Sequence, residues 1–154
     1  MRSLFGFLAL ALTLASQSFA QPSPEAMTHE IADNVATEYA ECSAYFGIVQ
    51  GAFASSGKSQ QSAKFKEVSD KAAEFSLMAA QRSRSTDMAA RVTLARIEMS
   101  MKEMQKTIDN NYSNISLLMK KHLDSCVEAM TDSSALIKRW TEKVGIKYGV
   151  KKTN

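Results

Sequence analysis

The sequence predicts an all-α protein: an up-down-up-down four-helix bundle with a disulfide between helix 1 and helix 4. Three observations predict it. The two prolines, Pro22 and Pro24, lie before or at the very start of the first helical stretch, so none falls inside a later helix. From residue 24 onward, apolar residues recur at spacings of three and four, the period of an amphipathic helix. The two cysteines, Cys42 and Cys126, each sit in the middle of such an apolar stripe, 84 positions apart.

The first twenty residues read as a secretory leader. Arg2 gives a positive start, and Leu4 to Leu14 is an apolar run of leader length. A membrane span needs about twenty apolar residues, and no later stretch reaches that either. Ser18-Phe19-Ala20 sets small residues at the two positions that define cleavage, so the cut is expected after Ala20. Gln21 follows, where a lipid-anchored exported protein would carry cysteine. The expected destination is the periplasm of a Gram-negative bacterium or the exterior, both oxidising and permissive for a disulfide.

The remaining residues make one domain by length. The expected division is a helical domain over 21–141 and a flexible basic tail over 142–154, where Lys143, Lys147, Lys151 and Lys152 outweigh Glu142. The net charge of +3 is too mild to argue for nucleic acid.

Helix 1 begins at a clear signal: Ser23 as N-cap, Pro24 at the first helical position, Glu25 in the first turn. Its stripe is Met27, Ile31, Val35, Tyr39, Cys42, Phe46, Val49 and Phe53, and Ser55-Ser56-Gly57 stops it. Gly47 and Gly51, one turn apart, suggest a neighbouring helix close by; fraying toward the end of the helix is the other reading. Helix 2 is expected from Ser59 to about Arg82, with Phe65, Val68, Ala72, Phe75 and Ala79 on one face. No glycine or proline separates it from the next segment. Ser85 or Thr86 can cap a new helix with Asp87 in its first turn, so the turn is expected near Ser85; one continuous helix is the other reading. Helix 3 carries Ala90, Leu94, Ile97, Met101, Met104 and Ile108. The polar break Asn110-Asn111-Tyr112-Ser113 precedes helix 4, which is expected to run on to about Trp140 through Ile115, Met119, Cys126, Met130 and Ile137.

The cysteines test this arrangement. In an antiparallel bundle the level of Cys42 in helix 1 matches a point near residue 123 of helix 4, within one turn of Cys126. Closing so long a loop contributes up to about 4–5 kcal/mol in the chain-entropy account.

Catalytic chemistry has little to stand on. No nucleophile elbow, zinc spacing, phosphate loop or redox Cys-x-x-Cys is present. Met27 and His122 stand in the order of a haem-binding bundle, but antiparallel geometry sets them roughly 25 Å apart, and no Cys-x-x-Cys-His attaches a haem. Met99, Met101 and Met104 are thioethers of the kind that suit Cu(I), yet Met99 falls on a different helix face from the other two. No cofactor is expected. Glu38 and Glu41 read as solvated or groove-lining carboxylates. Asn111-Tyr-Ser113 and Asn114-Ile-Ser116 are formal glycosylation acceptors, relevant only in a eukaryotic host.

Two function classes follow. The first is a small exported non-catalytic helical protein of the cell envelope, a protein-interaction or inhibitor/immunity-type module. Its partner would be another envelope or secreted protein, met through an exposed helix face or the Arg82–Arg91 end. The second is a periplasmic carrier of a small ligand or metal, using the polar interruption at His122, Tyr39 and Tyr45 inside the bundle.

Overall fold

The computed structural model describes residues 22–150, so the expected leader and residues 151–154 of the tail lie outside the described residues. Five α-helices are present and no strand among those residues: α1 (Pro24–Ser55), α2 (Ser59–Ala80), α3 (Thr86–Thr107), α4 (Ile115–Thr131) and α5 (Ser133–Lys147). A short 3-10 turn, Tyr112–Asn114, leads into α4. The turn near Ser85 is there, with Ser85 as the N-cap residue of α3.

The expected four-helix bundle needs correction, because its fourth helix is two. Asp132 leaves helical geometry at φ −137° and ψ 83°. Its carboxylate accepts the Ala135 N–H at 2.9 Å and so caps α5, while its own N–H still donates to the Glu128 carbonyl at 2.8 Å. An aspartate gains more as an N-cap than inside a helix. The second helix runs to Lys147, so the boundary expected at 141 falls inside α5. Residues of the expected tail are fastened: Glu30 accepts from Lys147 Nζ at 2.7 Å and from the Tyr148 hydroxyl at 2.6 Å.

The second correction concerns α1. A one-sided stripe is expected, but every residue from Cys42 to Phe46 is buried. α1 is the axis of the molecule, and α2, α3 and the α4–α5 arm all pack on it. A helix buried on several sides loses its polar face. Small residues make this possible. Ala36, Ala80 and Ala89, from α1, α2 and α3, form a fully buried cluster of their own. Ser76 Oγ donates to the Ala36 carbonyl at 2.7 Å, and Ser69 Oγ to the Ser43 carbonyl at 2.8 Å. Asp33 of α1 binds Arg84 from the α2–α3 turn and Arg96 of α3, the latter at 2.8 Å. Burial raises the Asp33 pKa, but the two arginines outweigh it and hold the carboxyl below its usual value.

Gly47 and Gly51 do mark close approaches, though not the same one. A Cβ on Gly47 would stand 3.0 Å from Met101 Cε of α3, the movable end of a flexible side chain. A Cβ on Gly51 would stand 2.5 Å from Tyr112 Oη, so the tyrosine of the 3-10 turn lies directly on α1 there. Asp109 and Asn110, both at positive φ, turn the chain back after α3.

The arm is held by fastenings spaced along α1. The Cys42–Cys126 disulfide joins α1 to α4 with Cα atoms 5.2 Å apart. Tyr39 donates its hydroxyl to the Ala129 carbonyl at 3.2 Å. Glu38 accepts from Arg139 Nη2 and from Trp140 Nε1, both at 2.8 Å. Glu30 secures the far end of α5.

Candidate functional site

Because the arm touches α1 at a few points and makes no substantial contact with α2, the axis helix is left open on both flanks of the arm. The two flanks differ in chemistry.

Between α2 and the arm the surface is apolar and holds two hollows, one toward each end of α1. The first, about 440 Å³, is walled by Tyr45, Val49, Phe53, Phe65 and Leu123 among others. Phe53 stacks on Phe65 with centroids 5.2 Å apart and rings 13° from parallel. The second is a groove of about 620 Å³ at the other end, with Ile31, Val35, Tyr39 and Phe75 in its lining and Met78 and Ile137 on its walls. Met78 is 55% exposed and Ile137 49%, so apolar side chains face water across the opening. Arg82 is the charged residue that lines the groove, and neither hollow is lined by an acidic residue.

Between α3 and the arm the cleft is polar. Glu41, Lys121 and His122 line both of its hollows, joined by Ser100, Glu103 and Thr107 toward α3 and by Glu38, Arg139 and Trp140 toward α5. The Glu41 pKa is raised, first by burial and then by repulsion from Glu38 and Glu103, with Lys121 opposing.

The three residues predicted as a ligand site do not converge. His122 is buried at 9% exposure, with its ring 5.9 Å from that of Tyr45 and its Nε2 without a hydrogen-bond partner. Burial lowers its pKa, and Lys121 lowers it further, so it is neutral at pH 7. Tyr45 adjoins it but also walls the apolar hollow on the other flank. Tyr39 lies apart. It meets Phe75 edge-on at 5.3 Å and lines the groove at the other end of α1. The Tyr39 and Tyr45 hydroxyls both have raised pKa values, chiefly through burial.

Of the two readings of Glu38, solvated or groove-lining, the second describes it: Glu38 lines the polar cleft and accepts from Arg139 and Trp140, bonds that sequence reasoning did not anticipate. The half-buried indole N–H of Trp140 needs an acceptor, but the antiparallel register sets Glu38 level with about residue 130, so its pairing with Trp140 does not follow from the register. The three methionines are scattered: Met104 is buried, Met101 reaches Gly47 and Met99 faces solvent. Among the described residues no group of three or more His, Cys, Asp or Glu side chains is placed to hold a metal ion.

Comparison of the chain with family models, with curated proteins and with solved structures gives no match.

Proposed function

We propose that this chain is an exported, non-catalytic binding module that holds an apolar segment of another envelope or secreted protein in the groove between α2 and α5. The observation that carries the reading is the groove itself: water-facing Met78 and Ile137 over an apolar floor, with Arg82 at its edge and no acidic residue in its lining. An apolar floor with apolar walls open to water is the form a binding groove takes. The charge selects the partner's chemistry: apolar side chains at helical spacing with a carboxylate positioned to meet Arg82. Export is supported by the disulfide, and no helix among the described residues is long and apolar enough to cross a membrane.

The test is a pair of surface substitutions assayed against the partner recovered from the periplasm. Met78→Asp puts a charge on the apolar wall, and Arg82→Glu reverses the edge. Each should weaken the complex at least tenfold while leaving the melting temperature within a few degrees. An unchanged complex with both variants contradicts the reading.

A second reading, a small-ligand carrier, rests on the polar cleft, where His122 Nε2 and Arg139 Nε are buried without partners. Loss of co-purified small-molecule mass on His122→Ala supports it; unchanged ligand content and affinity in that variant rejects it.

A further inference from the structure

The hollow at the C-terminal end of α1 has the size, shape and charge of a site for one medium-length acyl chain, and we propose that it binds a fatty carboxylate. This hollow shares no lining residue with the groove at the other end of α1. The volume, about 440 Å³, lies inside the range of small-molecule sites. A methylene group takes up about as much space as a liquid water molecule, roughly 30 Å³, so an acyl chain of about twelve carbons fits. The shape favours a chain over a compact ring. The α1 residues that line the hollow run from Tyr45 to Ser56, a rise of roughly 16 Å at 1.5 Å per residue.

The two ends of the hollow differ. The Tyr45 end is closed by buried rings: Tyr45 packs on Phe46 at 5.2 Å and on His122 at 5.9 Å. The Ser56 end is the mouth. Ser55 and Ser56 are exposed there, and Tyr112, 38% exposed and lying against Gly51, stands at its lip. Tyr112 holds its place because Gly51 has no side chain to displace it. Near the mouth, Lys58 Nζ lies 5.7 Å from the centroid of Phe53, one of the lining rings. No lining residue is acidic. Carbonyls in the last turns of α1, which would repel a carboxylate, carry side-chain donors: Ser55 Oγ donates to Gly51 O at 2.8 Å, and Ser56 Oγ donates to both Ala52 O and Phe53 O at 3.0 Å. The tail therefore runs inward among Val49, Phe65 and Leu123, and the carboxylate stays at the mouth within reach of Lys58.

The experiment is a methyl NMR titration of the oxidised protein with dodecanoate, repeated with dodecylamine, both below their micellar concentrations. The result expected is saturable dodecanoate binding that shifts the Met119 and Leu123 methyls and leaves Met78 and Ile137 in place, with dodecylamine weaker. Lys58→Gln should reduce dodecanoate affinity about two- to fivefold, the scale of one exposed charge contact, and leave dodecylamine no weaker. Val49→Phe fills the hollow and should cost about tenfold or more. Val49 is a core position, so Ala52→Phe, at a half-buried site in the same lining, gives the same reading in a protein whose melting is checked first. The proposal is overturned by absent saturation, by equal affinity for the two amphiphiles in the wild type, by unchanged affinity in both filled variants, or by shifts that map to Met78 and Ile137 instead.

Discussion

The two sides of α1 are built by different means. Toward α2 and α3 the contact closes at one end in a tight seam of small residues, Ala36, Ala80 and Ala89 with no exposed surface at all, and serine hydroxyls along it donate into α1 carbonyls. Toward α4 and α5, Leu118, Ala129 and Leu136 are buried in the core with α1, and separate fastenings at Glu30, Glu38, Tyr39 and Cys42 are spaced along the contact. A seam leaves no room for anything else. Fastenings hold an arm at a set distance and leave hollows between and beside them. The open surfaces of this molecule flank the arm for that reason, and the arm's attachment is where stability and binding are linked.

The largest effect should come from removing the covalent fastening. Cys42→Ser is expected to cost about 2–5 kcal/mol under oxidising conditions, and the difference from wild type should vanish in excess reductant. Equal melting of the two proteins without reductant would contradict it. The seam is next. Ala80→Leu forces a larger side chain into a site with no space and should cost about 1–3 kcal/mol, while Ile137→Ala, on the open wall of the groove, should stay within about 0.5 kcal/mol. If the two substitutions cost the same, the contrast between seam and arm is wrong. Glu38→Ala removes two charge-assisted hydrogen bonds to α5 and should cost about 1–3 kcal/mol, with the emission of Trp140 moving to the red as its indole N–H turns to water.

The smallest effects are the pH limbs. The folded pKa of His122 lies below its ordinary value of 6.5, so the unfolded chain takes up a proton first as the pH drops. Stability is present above pH 6.5 and declines below it, until the folded pKa is passed. Burial is the main cause of the shift and the neighbouring Lys121 adds to it; Glu41 of α1 and Glu103 of α3 line the same cleft. Asp33 has the same sign in a lower window: its folded pKa lies below 3.8, so its contribution is lost as the pH falls through the folded value. Glu41 has the opposite sign, since its folded pKa lies above 4.5 and its contribution is lost as the pH rises through that value. In His122→Leu the decline just below pH 6.5 should disappear while the Asp33 limb remains, which denaturant titrations at stepped pH will show.

Much of the fold is legible in the residues. Ser23-Pro24-Glu25 starts α1, and Asp87 after Ser85 starts α3, because capping chemistry is local. The disulfide is legible because it depends only on helix length and antiparallel register. What does not show is how helices share a neighbour. The apolar stripe from Met27 to Phe53 reads as one buried face, and Ala36, Ala40 and Ala44 beside it fit water or core equally well, so the burial of α1 on several sides stays hidden. The break at Asp132 was readable in principle, since Thr131-Asp132-Ser133 is a capping sequence, but the apolar spacing carries across it to Ile137 and Trp140 and masks it. The candidate site is the least legible part. His122 and Tyr45 do meet, but the hollows are spaces between helices, fixed by how far the arm stands from α2, and no motif encodes that distance.

The central claim is that the apolar groove beside the arm takes a partner's segment. The most direct measurement is site-specific photo-crosslinking in the native periplasm, with the photoreactive residue at Ile137 in one strain and at Lys106, on the side of α3, in another. The account predicts one discrete adduct from position 137, its crosslinked peptide mapping to an apolar segment with a nearby carboxylate in a different protein, competed away by a synthetic copy of that segment and absent from position 106. Adducts only between copies of this chain, or equal labelling from both positions, would contradict it.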